Sequence, residues 1–119
     1  MPAYVDAHFR TIAPRRGRAL VGLSAGGYGA VVLGFHRLDR FGVIESWSGY
    51  FHPTDPSGTK ALDRGERANV HNLIAGLRAM ERRRPTFFAF YVGRGDTRFR
   101  SENVQLDREL DAAHVPHLF

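Results

Sequence analysis

The chain of 119 residues, 43% hydrophobic, 24% charged and 12% aromatic, is one domain at most and too apolar to be disordered throughout. It has no cysteine, which excludes disulfides, thiol catalysis and cysteine metal sites. No apolar run approaches the roughly 20 residues of a membrane helix, and Met1-Pro2-Ala3-Tyr4-Val5-Asp6 lacks the basic start and apolar core of a signal peptide. The formal charge of +5 comes from arginine, since Lys60 is the only lysine. Arg15-Arg16-Gly17-Arg18 and Arg82-Arg83-Arg84 are the dense basic clusters. No aromatic residues interleave with them, so they read as solvated helix ends and loops rather than a nucleic-acid surface.

Val5, Phe9 and Ile12 recur at helical spacing after Pro2, and Pro14 closes that segment, which predicts a helix over 3–13. Residues 18–23 (Arg-Ala-Leu-Val-Gly-Leu) form an apolar run suited to a buried strand. Ser24 to Gly29 is a turn of small residues, and Ala30 to Phe35 is too apolar for a surface helix. It reads as a core helix ending near Leu38. Val43 to Ser48 is a second strand. Residues 49–68 carry Pro53, Pro56, Gly58 and Gly65 and predict a long loop. Val70, Leu73, Ile74, Leu77 and Met80 mark one face of a helix. Thr86 to Val92 is continuously apolar, like a strand buried in a parallel sheet. After a loop from Gly93 to Arg100, Ser101 is placed to cap a helix running to about His114, with Leu106 and Leu110 inward. Val115 to Phe119 resembles the start of a last strand. Strands alternating with helices predict a parallel α/β sheet, whose ligands bind at the carboxyl ends of the strands. Ser24, Ser48, Gly49 and the loop to Asp96 lie there.

Gly22-Leu23-Ser24-Ala25-Gly26 matches G-x-S-x-G between a strand and a helix, the setting that motif requires. A nucleophile on so sharp a turn needs tiny neighbours, and Gly26, Gly27 and Gly29 are expected to supply the room. The turn also aims backbone N–H groups at one point, and that of Ala25 is the first candidate to stabilise an oxyanion. The competing reading is a glycine-rich phosphate-binding turn. Another reading is that the turn merely turns; against the phosphate reading, Gly27-Tyr28-Gly29-Ala30-Val31-Val32 does not complete G-x-G-x-x-G/A and no Walker lysine follows. Asp96 follows a buried strand at the ligand-binding edge, where a carboxylate could orient a histidine. Asp107, Glu109 and Asp111 fall on a surface helix.

Arg18 to Ala30, then Phe41-Gly42 leading to Ser46-Trp47-Ser48-Gly49-Tyr50-Phe51, then Tyr91-Val92-Gly93-Arg94-Gly95-Asp96, give the chain its family likeness. It resembles the branch of the α/β-hydrolases that includes esterase D (S-formylglutathione hydrolase), feruloyl esterase domains and the mycolyltransferases. The resemblance implies that Ser24 is the acyl-accepting nucleophile, that Ala25 supplies an oxyanion N–H and that Asp96 is the triad acid. It further implies a parallel half-sheet of strands at about 18–23, 43–48, 86–92 and 115–119, with helices on both faces. The helix over 101–113 is expected on the face opposite those over 25–37 and 69–82.

The family's histidine lies beyond the last of these strands, and its second oxyanion donor lies on an early loop. Residues 1–119 are therefore expected to be a partial esterase-like domain, inactive alone. His114, at a helix end, and His117, within a strand, are poor candidates for the base. His52, near the mouth of the site, is a candidate to line the acyl or alcohol pocket. His8, His36 and His71 read as helix residues without a metal-ligand pattern. The expected partner is a small ester or acyl substrate. No metal, organic cofactor or nucleic acid is called for, and self-association through the open edge of strand 18–23 is expected. The alternative reading is a non-catalytic binding domain of the same fold.

Overall fold

The computed structural model describes residues 2–55 and 66–119; the middle of the 49–68 loop lies outside them. The order is α1 (Pro2–His8), a 3-10 turn (Arg15–Gly17), β1 (Ala19–Leu23), α2 (Ala25–His36), β2 (Val43–Trp47), a second 3-10 turn (Glu66–Ala68), α3 (Val70–Arg83), β3 (Phe87–Tyr91) and α4 (Arg100–Ala112). The strands run parallel in the order β1-β2-β3, with Leu20, Ile44 and Phe88 in register and Gly22, Ser46 and Phe90 in the next layer. This is the parallel α/β architecture expected, a sheet flanked by helices and consistent with part of an α/β-hydrolase fold.

The alternation of side chains along each strand decides where the core sits. Ile44, Phe88 and Phe90 point into one cluster with Val31 and Phe35 of α2, Val70, Ile74 and Leu77 of α3, and Leu106 and Leu110 of α4. Helix α4 therefore shares the core of α2 and α3 instead of taking the opposite face. Its buried stripe meets α3, with which it is in direct contact. The alternate residues Val21, Leu23, Trp47, Phe87 and Tyr91 remain exposed. Helix α2 has almost no polar side because its buried residues Gly27, Ala30, Val31, Gly34 and Phe35 lie flat on the sheet. At Gly34 a methyl group would stand 2.4 Å from Ile44 Cδ1, so any larger residue would have to displace the buried Ile44 side chain. The Phe35 ring meets Phe88 edge-on at 4.9 Å.

Several boundaries differ from the sequence expectation. The first helix stops at His8, and Val5, Phe9 and Ile12 are exposed. Val5 and Ile12 line an open groove of about 510 Å³ with Leu20, Leu33 and Phe41. A short helix with no covered face has little to hold it. Here the Thr11 hydroxyl instead donates to Asp6 at 2.8 Å, and Asp6 also pairs with Arg18. Residues 115–119 do not form a strand. A single bridge joins Leu118 to Ala89, with Leu118 N–H donating to Phe88 O and Phe90 N–H to Leu118 O. Pro116 has no N–H to donate, and buried Val115 is turned into the core at the end of α4. That end is a Schellman motif. Val115 N–H bonds to Leu110 O, His114 N–H bonds to Asp111 O, and His114 takes the left-handed position at φ 53°. Ser101 is not the cap of α4, and Met80 of the α3 stripe is exposed. Asn69 does cap α3, its side chain accepting from His71 N–H at 3.0 Å.

The first basic cluster is structural. Arg15 donates to the carbonyls of Leu38, Phe41, Arg84 and Pro85 and to the Thr86 hydroxyl, tying the two segments that enter β2 and β3.

Candidate active site

Leu23 ends β1 opposite Trp47 of β2, which is opposite Tyr91 of β3, so the next residues of all three strands emerge at one edge. Ser24 follows β1 with φ 55° and ψ −120°, a conformation rare for any residue with a Cβ. Its N–H donates to Trp47 O at 2.8 Å, and its C=O accepts from Tyr28 N–H at 3.1 Å. The residue is thus pinned on both sides while its side chain is exposed and makes no capping bond. Ala25 is the first residue of α2, so its N–H belongs to the orphan donors of a helix start.

The glycines around Ser24 divide their roles differently from the expectation. A Cβ at Gly22 would lie 2.2 Å from the carbonyl carbon and oxygen of Gly26, and one at Gly27 would lie 2.5 Å from Ser46 Oγ. Positions Gly26 and Gly29 face open space. The room is supplied by Gly22 and Gly27, where strand β1 and strand β2 touch the helix start.

Asp96 leaves β3 at the same edge, half-buried. Its Oδ1 accepts from the N–H groups of Arg98 and Phe99, both at 2.9 Å, and its own N–H donates to Gly93 O. The carboxylate thereby organises the turn that launches α4. Among the described residues no hydrogen bond joins Ser24, Asp96 or His52 to one another. What links them is aromatic. Tyr28, one turn along α2 from Ser24, stacks on Tyr50 at 5.0 Å, and Tyr50 lies 5.6 Å from Phe99 and 6.1 Å from His52. Burial, with Tyr50 beside it, pushes the Tyr28 hydroxyl pKa up, and that hydroxyl donates to Ala68 O at 2.7 Å.

His52 Nδ1 is held by Glu102, and the ring lines a cleft of about 480 Å³ with Asn69, His71, Arg98, Ser101, Glu102 and Gln105. His71 lies between two carboxylates, with Nδ1 2.5 Å from Glu109 and Nε2 3.4 Å from Glu102. An imidazole can donate from both nitrogens only when protonated. Burial opposes that charge, but hydrogen bonds to Glu102 and Glu109 outweigh it and raise the His71 pKa. Burial likewise opposes the Glu102 charge, but bonds from His71, His52 and the Phe51 N–H lower its pKa. Asn103, fully buried, donates to Gly49 O at 2.8 Å and to Phe99 O at 2.9 Å.

Glu102 and Asn103 escaped the sequence reading, which marks His71 only as a helix residue. Only Asn103 left a trace, because it falls on the inward stripe of Leu106 and Leu110. His117 is not available either: Nε2 is 3.0 Å from Asp107 and Nδ1 2.8 Å from Val115 O. No group of three or more His, Asp or Glu among the described residues is arranged to hold a metal ion, and no described helix is long and apolar enough to cross a membrane.

A parallel sheet with a strained serine on the turn between a strand and the following helix is the arrangement of the α/β-hydrolase type of fold. The chain belongs to the esterase family described as "Putative esterase", whose model matches residues 1–117. Its fold is similar to an S-formylglutathione hydrolase from Staphylococcus aureus, with TM-score 0.79 and 21% identity over 98% of this chain and 47% of that one. It is also similar to a ferulic acid esterase, with TM-score 0.77 and 23% identity over 98% and 47% of the two chains. In sequence it is 38% identical to the MPT51/MPB51 antigen of Mycobacterium tuberculosis over 65 residues, 55% of this chain and 21% of the antigen. The chain thus spans about half the length of the solved structures it matches.

Proposed function

We propose that this segment carries the nucleophile and the acid of a serine hydrolase acting on carboxylic esters, or of an acyl transferase built the same way. Ser24 Oγ attacks the acyl carbonyl, and the tetrahedral oxyanion takes one hydrogen bond from Ala25 N–H. Collapse expels the alcohol and leaves an acyl-enzyme, which water or a second alcohol then relieves of its acyl group. Asp96 orients the base, using the oxygen not engaged with Arg98 and Phe99. The base, which takes the Ser24 Oγ proton during attack and returns it to the departing alcohol, is a histidine supplied from outside these residues. Among the described residues no hydrogen bond joins a histidine of this segment to Ser24 or Asp96. Small esters are the substrate class, and no metal or organic cofactor takes part.

The observation that carries the proposal is the exposed Ser24 at φ 55° and ψ −120° on the sheet edge that Asp96 shares. The test uses the whole protein that contains this segment. Ser24→Ala should abolish hydrolysis of p-nitrophenyl acetate, and mass spectrometry of the unaltered protein should find a trapped acyl group on the Ser24 peptide. Turnover that survives Ser24→Ala refutes the proposal. Ligand binding without any turnover supports the non-catalytic reading. The 119-residue chain alone should hydrolyse the ester little faster than buffer.

We also propose that the isolated chain self-associates. β1 is an edge strand, and Val21, Leu23, Trp47 and Tyr91 offer exposed apolar surface beside it.

A further inference from the structure

We infer that Glu102 is a positioning residue that sets the geometry between Ser24 and Asp96 by anchoring the loop after β2, an inference that rests on the nucleophile reading of Ser24. The loop from Ser48 to His52 has few bonds of its own kind, yet Phe51 is fully buried and Gly49 is buried. Two consecutive residues of α4 hold it. Asn103 donates to Gly49 O at 2.8 Å, and Glu102 Oε1 accepts from Phe51 N–H at 2.9 Å and from His52 Nδ1. His71, itself braced by Glu109, contacts the same oxygen from the first turn of α3.

Between these two tethers sits Tyr50. Its ring stacks on Tyr28, on the helix that begins just after Ser24, at 5.0 Å, and lies 5.6 Å from Phe99, in the turn that Asp96 organises. The Tyr50 ring is therefore the spacer between the element bearing the nucleophile and the element bearing the acid. Asn103 fixes one end of that spacer's loop and Glu102 the other. Glu102 touches none of the proposed reacting groups. Its effect passes through the backbone of Phe51 and the ring of Tyr50. A carboxylate suits the task because it accepts several donors at once, whereas an apolar residue would leave the Phe51 N–H unpaired. A serine–acid gap that widens by a fraction of an ångström misplaces the base between them, and small misplacements at a reacting centre cost turnover rather than binding.

The experiment compares the unaltered whole protein with Glu102→Ala and Glu102→Gln, with Ser24→Ala as the reference for loss of the nucleophile. Amide hydrogen exchange at Phe51 reads the tether directly. In Glu102→Ala it should speed up about ten- to hundredfold, the effect of losing a hydrogen bond to a charged acceptor. In the same variant kcat should fall about ten- to hundredfold with KM within about twofold. Glu102→Gln keeps an acceptor oxygen for Phe51 and should recover most of both. A merely structural Glu102 would lower thermal stability and leave the balance of kcat and KM untouched. Unchanged exchange at Phe51 in Glu102→Ala overturns the inference. So does faster exchange with kcat preserved while Ser24→Ala abolishes turnover. If turnover survives Ser24→Ala, the nucleophile reading has failed and the positioning role falls with it, whatever the exchange shows. If Glu102→Ala does not fold, Glu102→Asp decides by the same readouts, because its shorter side chain withdraws the acceptor from Phe51 N–H: faster exchange at Phe51 with a lower kcat supports the inference, and unchanged exchange, or faster exchange with kcat preserved, overturns it.

Discussion

The two glycines of the serine elbow look equivalent in the motif and should behave oppositely when replaced by alanine. A methyl group at Gly22 would stand 2.2 Å from the Gly26 carbonyl and 2.7 Å from Gly27 N. These are backbone atoms at the start of α2, so no rotamer change relieves the clash and the strand must part from the helix. Overpacking of this kind costs about 1–3 kcal/mol, and the upper end applies where backbone rather than side chain must move. For 119 residues the entropy of unfolding is about 0.25 kcal/mol per degree, so Gly22→Ala should lower Tm by about 12 °C. Position Gly26 meets nothing within 4 Å and lies in the first turn of the helix. There alanine removes backbone freedom from the unfolded chain and should add about 0.5–1 kcal/mol, or roughly 2–4 °C. Thermal unfolding followed by circular dichroism measures both. Equal destabilisation by the two substitutions, or greater damage at Gly26, would refute the account of the elbow as a contact between Gly22 and the helix start.

Ser24→Gly removes the strain of a left-handed, Cβ-bearing residue and should raise stability by about 1 kcal/mol while abolishing ester turnover; a lower Tm would show that the φ of 55° carries no strain. Stability should also depend on pH through the cluster at α4. His71, with its pKa raised in the fold, stabilises fully below its free value of 6.5 and less as pH rises through its folded value. Glu102, with its pKa lowered, stabilises fully above its free value of 4.5 and less as pH falls through its folded value. The combined contribution is greatest between those two free values, and His71→Gln should flatten the alkaline side of a Tm-versus-pH curve. A flank unchanged by His71→Gln would assign the pH dependence elsewhere. In sedimentation velocity the isolated chain should associate at micromolar concentration, and Leu23→Lys should weaken that association; a stable monomer would show that the edge of β1 and its exposed face are protected.

What the sequence by itself determined is the local machinery. The run from Ala19 to Leu23, the serine and the small residues after it admit only a strand, a sharp turn and a helix laid close to the sheet, because bulkier side chains could not occupy the joint. The order of strands and helices followed from apolar runs and stripes in the same way. Tertiary structure decided what those stripes meet. Val5, Phe9 and Ile12 have helical spacing, but among the described residues they stay exposed and the helix stops at His8. Val115 to Leu118 has strand-like composition, but Pro116 interrupts its donors and the end of α4 takes Val115 into the core. The cluster of His52, His71 and Glu102 joins a loop and two helices separated by up to 50 residues. No local pattern encodes such a meeting, since each residue alone reads as a polar position on a loop or a helix. Even the division of labour among the glycines waited on the fold. A missing Cβ matters only where another backbone arrives, and the arrival of the helix start against Gly22, and of Ser46 against Gly27, is a property of packed elements rather than of the motif.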